Sequence, residues 1–193
     1  MKLVELEHAV DFTLPSPSIL YRVQRLRSRR SSVVIGPLRL PPRGLLRNRF
    51  DLVDDEVAYF AESSETAVYE TLARREATTL ALATVACRAL LTVQTTAPLK
   101  LLDLRFHAGA WPVLQSLRYV ETQELAREAR ALSYDGLIYR SAQQYGSDCV
   151  ALFGAGPMRS IKLVTKLPLV SAAGALHRAA AEAIRGAKVP LVP

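Results

Sequence analysis

Only two cysteines, Cys87 and Cys149, occur in the 193 residues. They lie far apart between apolar neighbours, which argues against a disulfide framework and against a zinc knuckle, and makes a reducing cytoplasm the expected compartment. The three histidines, His8, His107 and His177, are scattered without metal-ligand spacing, so no metal is expected. His177 reads as an exposed position in an alanine-rich helix. No apolar run reaches membrane-spanning length, and the opening Met1-Lys2-Leu3-Val4-Glu5-Leu6-Glu7-His8 is too acidic and too interrupted for a signal peptide. A soluble protein with no membrane partner is expected. A dinucleotide loop of the Rossmann kind is missing as well: in Gly154-Ala155-Gly156 a proline follows, and Arg159 stands in the third glycine's place. Ser141 has no histidine near it in sequence and no nucleophile-elbow setting, so a hydrolase triad is unsupported. Internal repeats are absent.

What is abundant is arginine in one place. Arg22, Arg25, Arg27, Arg29, Arg30, Arg39, Arg43, Arg47 and Arg49 fall in a segment that holds no acidic residue, within a chain of net charge +7. Such a stretch makes a local positive field, and the planar guanidinium fork suits phosphate or carboxylate better than an ammonium does. An anionic ligand is one reading, a solvated basic loop another, and a nucleic-acid-binding module a third. Between Arg25 and Arg49 there is no Phe, Tyr or Trp, which weakens a surface built for stacking single-stranded bases.

Half the residues are hydrophobic and 22% are charged, so the chain can bury one core, and a single domain over residues 1–193 is the default. After a polar lead-in, Ser18–Val23 reads as a first strand behind the Pro15-Ser16-Pro17 breaker. A long loop from Arg25 to Asp55 has one short apolar break at Val33-Val34-Ile35, and loops of that length usually serve function. The Val-, Leu- and Thr-rich segment Leu80–Leu104, interrupted at Pro98, predicts two or three strands. Trp111-Pro112 predicts a short helix, and Thr122 predicts the cap of another whose buried face is Leu125, Ala129 and Leu132. Strands follow at Gly136–Arg140, Asp148–Phe153 and Ser160–Val164, then a helix over about residues 172–185. Strands outnumber helices without regular alternation, which predicts an α+β fold with a compact mixed sheet and flanking helices.

The densest local signal is Tyr59-Phe60-Ala61-Glu62-Ser63-Ser64-Glu65-Thr66-Ala67-Val68-Tyr69-Glu70. It reads as a strand over Glu56–Ala61, a serine cap at Ser63 or Ser64, and a helix with Glu65 in its first turn, where the backbone dipole favours negative charge. Ala67, Glu70, Thr71 and Arg74 then share one helix face, and Val68 and Leu72 another. Glu70 therefore need not point into bulk water, although most helical glutamates do.

Taken in order, Tyr21-Arg22, Asn48-Arg49-Phe50-Asp51, Ala58-Tyr59-Phe60-Ala61 leading through Glu65-Thr66-Ala67 to Glu70, and Tyr139-Arg140-Ser141 before Cys149–Phe153 resemble the RES-domain family over roughly residues 18 to 165. The resemblance implies a fold similar to that of ADP-ribosyltransferase toxins, an Xre-type antitoxin partner and NAD as the substrate. The length and the arginine-rich loop look most like the ParT type, which implies transfer of ADP-ribose to a protein acceptor such as phosphoribosyl pyrophosphate synthetase. Destruction of NAD with water or phosphate as acceptor is the alternative, and nucleic acid would be met only through the antitoxin. By position, the family's arginine falls on Arg22, its tyrosine on Tyr59, its glutamate on Glu70 and its serine on Ser141, with Glu65 as a rival acid. Arg49 matches the arginine of a glycine-arginine-aromatic-asparagine stretch, from which this chain departs at Asn48 and Asp51. These matches imply that Arg22 and Arg49 bind the diphosphate, that Tyr59 stacks on nicotinamide, that Glu70 bonds the ribose 2′-hydroxyl and supports a cationic transition state, and that Ser141 orients the ribose or the glutamate.

Overall fold

A computed structural model describes residues 2–6, 10–116 and 118–193. In chain order the elements are β1 Val10–Leu14, β2 Ile19–Arg25, β3 Val33–Ile35, β4 Leu38–Leu40, β5 Val57–Ala61, α1 Ser64–Thr71, β6 Leu80–Ala81, α2 Leu82–Ala86, β7 Arg88–Thr95, β8 Leu99–Asp103, α3 Tyr119–Ala131, β9 Gly136–Arg140, β10 Asp148–Phe153, α4 Ala155–Arg159, β11 Ile161–Pro168, α5 Arg178–Ala187 and β12 Leu191–Val192. Eight strands form one sheet in the order β1-β8-β9-β10-β5-β2-β7-β11. Only β8 and β9 run parallel in it, and α3 supplies the crossover that a parallel pair needs. The mixed α+β architecture expected from the sequence is the one observed.

Period-two alternation divides the strand side chains between two cores. On one face Val23, Val57, Ala61, Leu90, Leu102, Leu137 and Phe153 meet Val68 of α1, Leu125 and Ala129 of α3, and Ala180 and Ala183 of α5. On the other, Leu20, Ala58, Phe60, Leu91, Leu101, Val150 and Leu152 are covered by Leu38 and Leu40 of the β3–β4 hairpin and by Met158 of α4. The apolar break at residues 33–35 is thus one strand of a hairpin that roofs the second core.

Several expectations need correcting. The polar lead-in contains β1, whose Phe12 and Leu14 alternate inward against β8. Leu82–Ala86 is helical and not extended; the short helix expected at Trp111-Pro112 is present, as the 3-10 helix Pro112–Gln115. Thr122 lies inside α3, buried, with its hydroxyl donating to the carbonyls of Arg49 and Tyr119, and Leu132 at the helix end is 56% exposed. His177 is the N-cap of α5: its Nδ1 accepts from the Ala179 N–H at 3.2 Å. That helix begins six residues later than read, because residues 171–175 form a turn closed by Ser171. His8 lies outside the described residues.

The cleft originates in the sheet itself. β2 pairs with β5 through a single residue pair, Tyr21 with Ala61, although β2 continues to Arg25 in full register with β7. Past Tyr21 the two strands have no further pairing, and residues of both faces line the gap, Val57 and Ala67 from the first core and Phe60 and Leu40 from the second. Between β9 and β10 no such freedom exists: a Cβ on Gly136 would lie 2.0 Å from the Ala151 carbonyl oxygen. Gly136→Ala is therefore expected to force β9 from β10 and to lower stability by about 3 kcal/mol or more, read as a fall in the urea midpoint; an unchanged midpoint would contradict the pairing of Leu137 with Ala151 across β9 and β10.

Candidate active site

The splayed strands β2 and β5, helix α1 and the loop before β5 enclose a cleft of about 340 Å³. Ser63 caps α1, its hydroxyl accepting from the Thr66 N–H at 3.1 Å, and this fixes the helix phase. Ala67, Glu70, Thr71 and Arg74 line the cleft, while Val68 and Leu72 are buried in the first core. Glu65 is not among the lining residues; its carboxylate accepts from Ser64.

Glu70 is held from behind. Its Oε1 accepts from the Ser141 hydroxyl at 2.5 Å and from the Ala142 N–H at 3.0 Å. Ser141 is 2% exposed and does not reach the cleft surface. Its Oγ also accepts from the N–H groups of Gln143 and Gln144 at 3.1 and 2.9 Å, which turns the chain after β9. The same turn is clamped twice more, to α1 by Thr66 donating to Gln144 Oε1 and to the segment after it by the Arg75 N–H donating to Gln143 Oε1, both at 2.7 Å. Ser141 is thus a positioning residue, and its hydroxyl can serve Glu70 only because the turn supplies the donors that fix its lone pairs.

Arg22 sits where the sheet splits. Its Nη1 donates to the Tyr59 carbonyl at 2.8 Å, meeting an acceptor that the missing β2–β5 ladder leaves open, and its guanidinium lies 6.0 Å from the centre of the Phe60 ring. Burial pulls its pKa down to about 10, so it remains a cation at neutral pH. Its Nε is buried and has no acceptor. Arg49 is 9% exposed, packed against the rings of Phe50 and Tyr139 at 5.8 and 5.5 Å, and its Nε and Nη1 are also buried without acceptors. Buried guanidinium donors in that condition are costly unless an anion joins them.

Tyr59 and the loop form one network around Asp51. The Asp51 carboxylate accepts from the N–H groups of Arg47 and Asn48, both at 2.9 Å, from the Asn48 side-chain amide at 3.0 Å and from the Tyr59 hydroxyl at 2.9 Å. The same hydroxyl accepts from the Phe50 N–H at 3.0 Å. Burial, with the Asp51 charge behind it, holds the Tyr59 phenol well above its ordinary pKa, so it is a neutral donor. Asp51 is 8% exposed and fixes both the loop that carries Arg49 and the ring of Tyr59.

Of the residues singled out from the sequence, Arg22, Arg49, Tyr59 and Glu70 line one cleft, and Ser141 buttresses Glu70 from outside it. The sequence reading missed the Asp51 hub, together with Tyr21, Arg88, Tyr119 and Tyr139 in the walls. No group of three or more metal-ligating side chains occurs among the described residues.

A family model described as the RES domain matches residues 19–171. Among solved structures, a chain of the M. tuberculosis MbcT–MbcA toxin–antitoxin complex is similar at 17% identity, with a TM-score of 0.58, over 81% of this chain and 86% of that one. No match is found among curated proteins. No helix among the described residues is long and apolar enough to cross a membrane.

Because one carboxylate satisfies donors from four groups, Asp51→Ala is expected to lower stability by about 3 kcal/mol. Asp51→Asn, which keeps one acceptor oxygen, should lose roughly half as much, both read from urea unfolding. Equal losses for the two variants would mean that the carboxylate is not the hub of this network.

Proposed function

The chain belongs to the RES-domain family, and on that footing we propose that it is a toxin that breaks the nicotinamide–ribose bond of NAD and passes ADP-ribose to a protein acceptor, silenced by an antitoxin protein. The observation that carries this reading is a single carboxylate, Glu70, fixed by Ser141 at the wall of a cleft whose other polar walls include the buried, acceptor-free donors of Arg22 and Arg49.

Two opposite electrostatic demands meet in that reaction. The diphosphate needs cations, and the anomeric carbon, as its bond to the pyridinium nitrogen breaks, needs a nearby anion. The donors of Arg22 and Arg49 supply the first through charge-assisted hydrogen bonds. Glu70 supplies the second: it accepts from the ribose 2′-hydroxyl and faces the oxocarbenium-like sugar. Glu70 Oε1 already receives two donors from the protein, so Oε2 is the oxygen that would turn to substrate. The half-buried ring of Tyr59, its hydroxyl tied to Asp51, offers a fixed face for nicotinamide. The electron pair of the broken bond stays on the nicotinamide nitrogen, the acceptor's lone pair closes on the anomeric carbon, and the acceptor's proton passes to solvent. No separate nucleophile or metal is invoked.

The protein acceptor, as in the ParT type, and an Xre-type antitoxin rest on the family resemblance, to which the similar toxin–antitoxin complex lends support. A cleft lined by eight arginines and one carboxylate suits a small anionic ligand.

Purified protein incubated with NAD is expected to release free nicotinamide. Glu70→Gln should slow release by about 100-fold or more, Arg22→Ala should act mainly by raising KM, and Ser141→Ala should lose about tenfold or more through a displaced carboxylate. Release by Glu70→Gln at the wild-type rate would remove the acid from this role, and no release by wild type would end the reading.

A further inference from the structure

The far end of the cleft carries more positive charge than a diphosphate requires. Arg25 and Arg88 are directly opposed on β2 and β7, and like charges facing each other across an antiparallel pair are destabilising. Among the described residues neither finds a carboxylate. Arg25 Nη1 has only the Cys87 sulfur, at 3.9 Å, and the Nε of Arg88 is buried without an acceptor. Burial first, then the neighbouring Arg25 and Arg29, depress the Arg88 pKa, and the Cys87 thiol opposes them. Both line the cleft, as do Ser28 and Arg29 beside them, whereas its one acid, Glu70, lies at the other end near Tyr21. Cross-strand partners share a face, and two steps of period two place Arg25 on the same face of β2 as Tyr21, roughly 13 Å farther along the strand.

A dinucleotide joins two riboses through its diphosphate. With one ribose at Glu70 and the diphosphate at Arg22 and Arg49, the adenosine ribose is carried toward Arg25 and Arg88. We infer that Arg25 and Arg88 form a subsite for a phosphate dianion, the 2′-phosphate of the adenosine ribose, so that the cleft takes the 2′-phosphorylated dinucleotide more tightly than NAD. This deepens the reading of the cleft as a dinucleotide site and rests on it. A phosphomonoester carries close to two negative charges at neutral pH and three acceptor oxygens, which matches two facing guanidinium forks with serine hydroxyls at hand. Full charge on both arginines is then an advantage in the bound state and a liability only in the empty one.

The test is calorimetric and needs no turnover. Wild-type protein is titrated with adenosine 2′,5′-bisphosphate, with adenosine 5′-monophosphate and with inorganic phosphate. The bisphosphate is expected to bind at least tenfold tighter than the monophosphate, and the ratio should collapse to about one or two in Arg88→Gln and in Arg25→Gln. Arg127→Ala, which removes a charge from the outer face of α3, should leave the ratio unchanged. A wild-type ratio near one overturns the inference, as does a preference that survives both substitutions, or inorganic phosphate that binds at Arg88 while the 2′-phosphate brings no gain. If the monophosphate binds and the bisphosphate gains nothing, only this subsite falls. If neither nucleotide nor NAD binds, the dinucleotide reading falls and takes the subsite with it.

Discussion

The structure depends on an interruption: the pairing of β2 with β5 stops after Tyr21 and Ala61. A continuous ladder there would close the sheet and leave no cleft. Opening it strands backbone groups that the ladder would have satisfied, and unpaired groups in a buried setting are destabilising. The guanidinium of Arg22 replaces part of what is lost by donating to the Tyr59 carbonyl. The Tyr59 side chain, on the α1 face, is pinned by Asp51 and the Phe50 N–H. One arginine thus serves both as a structural bridge across the split and as a cation at the head of the cleft.

That dual use explains the pattern of satisfied and unsatisfied polar atoms. Acidic residues elsewhere are well paired: Asp103 and Asp148 hold Arg105, and Asp55 holds Arg130. In the cleft the balance reverses, and acceptor-free donors remain on Arg22, Arg49 and Arg88. A folded chain tolerates such groups where aromatic faces cushion them, as Phe50 and Tyr139 do for Arg49, and where a ligand's oxygens complete them. The cost of these donors is concentrated in the cleft.

Much of this was legible in the residues and some was not. The helix phase that turns Glu70 toward the cleft followed from a serine cap and the 3.6-residue period, both local quantities. The strands β9 and β10 showed as apolar runs between polar turns. The split between β2 and β5 left no local trace, because it is a property of two strands more than thirty residues apart in sequence. β1 escaped because its five residues include Asp11 and Thr13 on the solvent side, leaving only Phe12 and Leu14 as inward signal. Thr122 was misread as a cap since a threonine before an acidic, apolar-periodic stretch has that local signature; the carbonyl of Arg49, seventy-three residues away, claims its hydroxyl instead. His177 carries the reverse lesson, for a histidine ring nitrogen can cap a helix where serine or aspartate would be the usual choice.

The departure from the family's glycine-arginine-aromatic-asparagine stretch is resolved by hydrogen-bond chemistry. At the last position the partners of Asp51 are all donors: two backbone N–H groups, the Asn48 amide and the Tyr59 hydroxyl. An asparagine would turn an NH₂ toward one of them and lose that contact, whereas a carboxylate accepts from every side. Asn48, in the place where glycine is common, contributes one of those donors through its side chain. The two residues therefore complement each other: the Asn48 amide is met by the Asp51 carboxylate. The loop is fixed by these bonds, and Arg49 lies over the faces of Phe50 and Tyr139 in the wall of the cleft.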